Sequence, residues 1–589
     1  MDLRLMASAL LLVACTTESE ANLGTFDAST LDAGTVSDAA HDAEHDTFDA
    51  GVDVGPSLDA GAVTRTGLPP ISGGTLAVIG ERVVVGDPDR DMIWVYDLRG
   101  APRLEHRIEL PSGSEPGRVV GMGDEALVVL RGTGRIARVD LDRGFVNEER
   151  EVCGAPRGVD VVDTRILVAC AGGSLVSMAG AEWTRRFIEP GLRDVIAADG
   201  VIYVSVFRSA EVLVLNEETL ELIERLRPPS GAEAGVPNTA WRMRADPDGG
   251  VRLLHQRSTE AEVQVMSTGY SGSPRCGPGG VVDTALSHIE AGRPVALGPT
   301  MTAFVLTVDM ALAGDGVVFA SAGAHQFVRT TGIRRVFSLA MDEDCVTADY
   351  DSRTGGVPMT SIGLIGDRVV AWQRSGELRV LDGDAVQVVS TGAPIVVDAG
   401  RDLFHQGTSS FVACASCHPE GDDDSITWNF VPTVRRTQSL RGGLSETAPF
   451  HWSGDQEDMS DIMQGAFVER MQGSVPTEEQ TMLIAEWIDT LPSLTSSATP
   501  DAALVSRGQA LFDGDAACAG CHAGSHFTDN RSVDVGGGEA FQVPSLLGIA
   551  TRGPFLHDGS APTLREALVH GGEFTASEED ALVAYLTTL

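Results

Sequence analysis

Gly80 to Leu98 reads GERVVVGDPDRDMIWVYDL: a β-branched run, a turn built on Pro and Asp, then a second apolar run ending on an acid. Such a stretch is a pair of half-buried strands joined by a tight turn. The pattern returns as DEALVVLRGTGRIARVDL (124–141), DTRILVACAGGSLVSM (163–178), DGVIYVSVFRSAEVLVLN (199–216), DGGVRLLHQRSTEAEVQVM (248–266), DGVVFASAGAHQFVR (315–329) and GDRVVAWQRSGELRVLD (366–382). The central residues Val84, Val128, Val168, Val204, Leu254, Val318 and Val370 are 36 to 64 residues apart. A four-stranded propeller blade needs about 40–50 residues, so residues 67–392 are expected to form a seven-bladed β-propeller with insertions in the fifth and sixth blades. A tandem of β-sandwiches is the alternative.

Composition limits what such a chain does. The 589 residues are enough for three or four domains. Acidic residues number 84 against 43 basic ones, a formal charge of −41, and such a surface repels phosphate backbones. Nucleic-acid binding is excluded on that ground. Every basic residue is Arg, which a high-GC genome explains without a functional demand. Aromatics are 5% and Gly numbers 67, favouring short strands and turns over an all-helical fold. The blade pattern resembles YVTN-type bacterial propellers in architecture, although the tetrapeptide is absent. His255, His288 and His325 lack metal-ligand spacing and are expected to be surface residues, and neither a Gly-rich phosphate loop nor a nucleophile elbow occurs. Cys153, Cys170, Cys276 and Cys345 allow three disulfide pairings, of which Cys153 with Cys170 and Cys276 with Cys345 is preferred.

Residues 1–15, MDLRLMASALLLVAC, carry one Arg, an apolar run too short to span a bilayer, and Leu12-Val13-Ala14-Cys15. This end resembles the lipobox of bacterial lipoproteins, which implies a signal peptide, lipidation of Cys15, export to the periplasm or cell envelope and, with Thr16 next, the outer membrane. Residues 16–64 hold eleven acids and no Arg. A stretch of that composition buries no core, so residues 16–66 are expected to be a disordered acidic tether.

The sharpest signal lies in residues 393–589. Cys414-Ala-Ser-Cys417-His418 and Cys518-Ala-Gly-Cys521-His522 are both C-x-x-C-H, the attachment sequence of c-type haem. Two thiols three residues apart reach the two vinyl groups on one porphyrin edge, and the next imidazole then lies under the iron. A redox C-x-x-C needs no trailing His, least of all twice. The surroundings repeat too. Leu403-Phe404 matches Leu511-Phe512, Ser439-Leu440 matches Ser545-Leu546, and PFHWSG (449–454) matches PFLHDG (554–559). A helix opening at Glu478-Glu479 and carrying Trp487 matches one opening at Glu578-Glu579 and carrying Tyr585. The offsets drift only between 98 and 108 residues, so the segment is a duplication with modules at 393–497 and 498–589.

Each copy reads helix, C-x-x-C-H, long loop, terminal helix, the plan of a mainly-α class I cytochrome c. The tandem resembles the bacterial di-haem cytochrome c peroxidases and the MauG-like enzymes that mature methylamine dehydrogenase. The resemblance covers about a third of the chain and rests on both haem motifs, Pro449–Asp455 and Val543–Glu566. It implies two covalent haem c groups held by Cys414, Cys417, Cys518 and Cys521, with His418 and His522 as proximal ligands. In class I cytochromes the sixth ligand precedes the last helix, where the register aligns Met471 with His570, and His451 is the rival of Met471. No Met follows Met482, so the second module lacks the family's Met ligand. By the same resemblance Trp452 relays electrons between haems, while His557 occupies a position that does not ligate iron. Gln464 and Glu469 stand nearest the peroxide-cleaving pair, outside the family's register. Arg435, Arg436, Arg441 and Arg552 are candidate donors to haem propionates. The resemblance also implies a Ca²⁺ between the modules, hydrogen peroxide as oxidant and a redox partner protein. The alternative is a non-catalytic electron-transfer or sensing protein whose propeller docks a partner. A pyridine haemochrome assay, after expression with a cytochrome c maturation system, is expected to return two haems per chain. Cys417→Ala and Cys521→Ala should each lose one attachment, and one haem or none in the wild type would overturn the reading.

Overall fold

The structure is a computed structural model that describes residues 62–231, 235–264, 269–270, 280–301, 304–314, 316–323, 332–336, 349–350, 358–535 and 538–589. The expected signal peptide, Cys15 and nearly all of the expected tether lie outside the described residues. The tether's expected end at 66 is corrected, because Val63–Thr64 is a strand paired in parallel with Val396–Val397.

Seven four-stranded antiparallel sheets follow one another, each with its strands in chain order. Blade one spans Leu76–Glu109, two Pro116–Glu151, three Pro156–Phe187, four Leu192–Leu226, five Val236–Met301, six Thr307–Tyr350 and seven Ser361–Ser390. Blade six is described with side chains in its inner pair, Thr307–Ala313 and Gly316–Ser321, while its outer strands Gly332–Val336 and Asp349–Tyr350 are followed by pairing alone. The first strand of every blade packs against the first strands of its two neighbours, blade seven against blade one included, so the sheets close a ring. All seven central residues lie buried on the second strand of their blade. A strand with covered faces loses its alternation and becomes a continuous apolar run, which is why VVV and LVV mark these positions.

Two hairpins depart from the expected form. In blade five the third strand is Val282–Ile289 and in blade six it is Gly332–Val336; residues 265–266 and 325–329, on which the expected third strands fell, lie outside the described residues. The ring seam is closed by ions rather than by a shared strand: buried Asp89 of blade one binds Arg374 of blade seven and Arg401 beyond it. The Cys153–Cys170 disulfide is formed, joining blades two and three, whereas Cys276 and Cys345 lie outside the described residues. The histidine expectation is corrected: His255 is fully buried, bound to Ser287 Oγ at 2.9 Å and to the Gln256 carbonyl, and half-buried His288 donates to the Gly249 carbonyl at 2.8 Å. His325 is outside the described residues.

The C-terminal region is built twice on the same plan. Helices α1 (Ala399–His405) and α2 (Glu478–Asp489) cross in the first copy, and α3 (Ala502–Asp513) and α4 (Ala576–Leu586) cross in the second. Asp398 and Asp501 cap the first helix of each pair and Thr477 and Thr575 the second, the two threonines in capping boxes with Gln480 and Glu578. Each crossing turns on a glycine. A Cβ on Gly400 would stand 2.0 Å from the Leu483 carbonyl oxygen and 2.9 Å from the Trp487 Cβ. One on Gly508 would stand 1.9 Å from the Ala581 oxygen and 2.8 Å from the Tyr585 Cβ. Only a residue without a side chain permits that approach.

The copies also interlock. The hairpin Thr427–Arg436 of the first receives the PFLHDG loop, with Arg436 N donating to the His557 carbonyl at 2.7 Å and Thr427 Oγ1 to the Asp558 carbonyl at 3.0 Å. In return the hairpin Ser532–Gln542 receives the PFHWSG loop, with Gln542 N donating to the Trp452 carbonyl at 2.8 Å. Trp487, fully buried, donates from Nε1 to the Leu68 carbonyl at 2.8 Å and so pins the first copy to the chain entering the propeller. Gly508→Ala is expected to destabilise the second copy by about 1–3 kcal/mol through overpacking. Its thermal midpoint and the second haem's retention should fall while the first haem's spectrum holds, as differential melting followed by visible absorption would show.

Candidate haem sites

In the second copy the chain brings two imidazoles together with their ring planes nearly perpendicular, at 77°. His522 leaves the short turn Cys518–Gly520, and His570 stands on the turn Leu568–Gly571 ahead of α4. Their ring centroids are 6.2 Å apart. A ring nitrogen binds a first-row metal at about 2.0 Å, so an iron between two imidazoles separates their centroids by about 6 Å. Nδ1 of His522 donates to the Phe527 carbonyl at 3.1 Å and Nδ1 of His570 to the Ala567 carbonyl at 2.6 Å. A carbonyl only accepts, so each Nδ1 carries the proton and each Nε2 keeps its lone pair free to ligate. Burial lowers the His522 pKa and favours the neutral ring that ligation requires. These residues fit a six-coordinate haem.

In the first copy Cys414, Cys417 and Met471 share one apolar core with Phe404, Trp487 and Phe467, and Ser410 N donates to the Met471 carbonyl at 3.3 Å. Met471 therefore lies beside the first attachment site. The rival, His451, is half-exposed and paired with Asp455 at 3.2 Å. Burial lowers the His418 pKa as well. It pushes the Cys414 thiol up to about 12 and Cys417 well above its ordinary value, the opposite of the low-pKa thiolate a redox dithiol needs. None of the four motif cysteines is in a disulfide. One neighbour was not anticipated: Tyr270, from the blade-five insertion, packs on this core, and its N–H donates to the Arg470 carbonyl at 3.1 Å.

The remaining candidates divide into two groups. Trp452 sits where the copies interlock, its Nε1 donating to the Arg436 carbonyl at 2.7 Å and its ring 6.4 Å from His557, which stacks on Phe541 at 4.0 Å. Gln464 and Glu469 lie apart from it on an exposed helical turn, bound to each other at 3.0 Å. Among the arginines, Arg435 lies over the Phe541 ring and pairs with Glu539. Arg436 pairs with Asp423, Arg441 donates to the Glu420 carbonyl at 2.8 Å, and Arg552 donates to the Ser545 carbonyl at 2.7 Å. No group of three or more metal-ligating side chains occurs among the described residues. The acids nearest the first motif, Asp422–Asp424, are instead surrounded by arginines, so the Ca²⁺ that the resemblance implies has no ligand set there.

Further arginines reach toward this loop from the propeller. Arg118, Arg157 and Arg193 stand second or third in the innermost strand of blades two to four, Arg242 stands seventh in that of blade five, and innermost strands face the ring centre. Arg118 and Arg242 converge there on buried Asp194 at 2.7 and 3.0 Å. The next pair reaches out to the loop that follows His418: Glu420 binds Arg193 at 2.7 Å and Arg157 at 3.2 Å. Asp423 binds Arg208, whose Nη1 also donates to the Thr551 carbonyl of the second copy at 2.7 Å. Burial alone would raise the Glu420 carboxyl, and the guanidiniums of Arg157, Arg193 and Arg131 hold it well below its usual range instead. The Arg near the start of the first strand in three successive blades was the available signal.

No family model matches the chain. Among solved structures, Kuenenia stuttgartiensis hydrazine synthase is 14% identical with a TM-score of 0.41, covering 57% of this chain and 100% of that one. A catalytically inactive virginiamycin B lyase of Staphylococcus aureus is 13% identical with a TM-score of 0.35, covering 53% and 94%. Among curated proteins, the methylamine utilization protein MauG of Methylorubrum extorquens strain AM1 is 28% identical over 277 residues, spanning 33% of this chain and 78% of MauG. The match falls on the C-terminal part and supports a c-type cytochrome of the MauG and di-haem peroxidase kind for that region.

Proposed function

We propose that this chain is an exported electron-transfer cytochrome with two covalent haem c groups, receiving electrons from a redox partner protein and delivering them to peroxide or withdrawing them from a partner. The observation that carries it is the pairing of His522 and His570 at 6.2 Å with both Nε2 atoms free, behind one of two intact C-x-x-C-H motifs. Haem c, once attached, supplies one-electron redox chemistry and, at an exchangeable face, the site for peroxide. The chain's own residues divide the labour. His522 and His570 would hold the second haem with two nitrogens, which suits an electron reservoir. His418 with Met471 would hold the first with one nitrogen and one thioether, the weaker and more displaceable set. Trp452, bound between the copies beside His557, is the aromatic bridge for electrons. Gln464 and Glu469 are the acid–base candidates for O–O cleavage.

The exposed, mutually bound Gln464 and Glu469, remote from Trp452 in the hydrogen-bond network, favour the second reading, a wire or sensor without peroxidase turnover. EPR of the holoprotein during peroxide titration separates the two. Catalysis requires a high-spin or peroxide-responsive first haem, whereas two low-spin signals indifferent to peroxide and cyanide would establish the wire. His570→Gly should open the second haem to exogenous imidazole and shift its potential while the first haem's spectrum holds, and His557→Gly should do neither. The reverse pattern in a redox titration would exchange the assignments. Lipidation at Cys15 is part of the same reading. Cys15→Ser is expected to release the protein into the periplasm, since a tether this acidic has no electrostatic affinity for anionic lipid, and unchanged membrane association would count against the anchor.

A further inference from the structure

Blade five leans on the first copy along the chain that links its second strand to its third. Gln256 Nε2 donates to the Ser416 carbonyl at 3.4 Å, inside the C-x-x-C-H motif, and Val263 N donates to the Asn429 carbonyl at 2.8 Å. Tyr270 N donates to the Arg470 carbonyl at 3.1 Å, and Val281 N returns a bond to the Tyr270 carbonyl at 3.2 Å. A Cβ on Gly280 would stand 2.6 Å from the Ser410 carbonyl oxygen, so this glycine lies against the residue whose N–H holds the Met471 carbonyl at 3.3 Å. The contacts of Tyr270 and Gly280 thus converge on the backbone around Met471.

Met471 is delivered to the core in an uncommon way. The residues ahead of it, Met463–Arg470, are wound as a π-helix, and the Met471 N–H closes on the Ala466 carbonyl at 3.0 Å. In the second copy the stretch ahead of α4 is wound tighter, with Leu564–Ala567 α-helical and Leu568–Gly571 a 3₁₀ turn. Long π winding is rare and is found mostly at functional sites. Rewinding it to an α-helix would rotate the following side chains by about one residue, ~100°, and carry Met471 away from Cys414, Cys417 and Phe467, with which it now shares a core. Whatever fixes Arg470 in the π form therefore fixes Met471 as well. Tyr270 grips Arg470 by more than its backbone bond: the phenol oxygen accepts from the guanidinium, which has donors only. Desolvation raises the phenol's pKa, so the ring there is neutral.

We infer that Tyr270 is a positioning residue through which the propeller holds Met471 at the first haem, so that blade five sets how readily this haem exchanges its sixth ligand. The inference rests on Met471 being that ligand. Tyr270 acts through Arg470 and need not touch the iron.

The test uses the full-length ferric holoprotein with its haem count measured beforehand. It reads the far-red charge-transfer band of a methionine–iron bond and titrates the first haem with cyanide. Tyr270→Phe keeps the ring and the backbone bond and removes the hydroxyl, whereas Arg470→Leu removes the guanidinium. Each is expected to weaken the band, lower the first haem's potential as thioether ligation is lost, and tighten cyanide binding by about 10- to 100-fold, the worth of one charge-assisted hydrogen bond. The double variant should go no further than either alone, since both remove the same bond. An unchanged band and cyanide affinity in Tyr270→Phe overturns the inference, and so do effects of the two substitutions that simply add. A merely structural Tyr270 gives the first of these patterns, with Tyr270→Ala lowering the melting midpoint while cyanide affinity holds. A wild type with two haems and no methionine band removes the Met471 assignment and the inference with it. A band that is present and indifferent to Tyr270→Phe removes the inference alone.

Discussion

The contact between the loop after His418 and the arginines of blades three and four governs this architecture. Glu420 and Asp423 are buried, and each is held by two guanidinium groups. Removing one side of such a pair leaves a desolvated charge, a loss of about 3–5 kcal/mol, so the loop has few alternative positions at comparable energy. Because this loop begins two residues past His418, the propeller fixes where the first haem motif sits. Its ring centre, the face at which many propellers take ligands, is turned toward the protein's own redox module.

The second module is placed by the first. The interlocked hairpins and PF-containing loops exchange backbone hydrogen bonds in both directions, which makes the two copies one unit with Trp452 and His557 at its seam. Arg208 joins this unit to blade four by reaching Asp423 of one copy and Thr551 of the other. The observed devices fix the separation of the two C-x-x-C-H motifs. Glycines at both helix crossings, aspartate and threonine caps and a tryptophan tied to Leu68 all restrict motion rather than permit it.

Much of this was legible in the residues. Seven apolar runs marked the second strand of seven blades, because strand burial is a local demand that leaves a local pattern, and the duplicated C-x-x-C-H frames marked the two copies of the C-terminal plan. The register of the duplication matched His570 with Met471, and both stand on the turn ahead of the last helix of their copy, since a repeated backbone puts matched positions in matched places. Reading failed where chain order and spatial order part. The third strands of blades five and six are Val282–Ile289 and Gly332–Val336, farther along the chain than the apolar runs that suggested them. His255 looked like a surface residue and is a satisfied core histidine, since a single imidazole carries no periodicity to reveal its burial.

By itself the sequence determined the blade repeat, the two haem motifs, the duplication and the acidic balance of charge. Tertiary structure alone decided that Arg157, Arg193 and Arg208 would close on Glu420 and Asp423, that Tyr270 would leave the propeller to pack beside Cys417 and Met471, and that each copy would lend its loop to the other. The reason is physical: hydrophobic periodicity and covalent attachment are satisfied within a few residues of chain, whereas an ion pair more than 200 residues apart in sequence is specified only once the folded ring has brought its partners within reach.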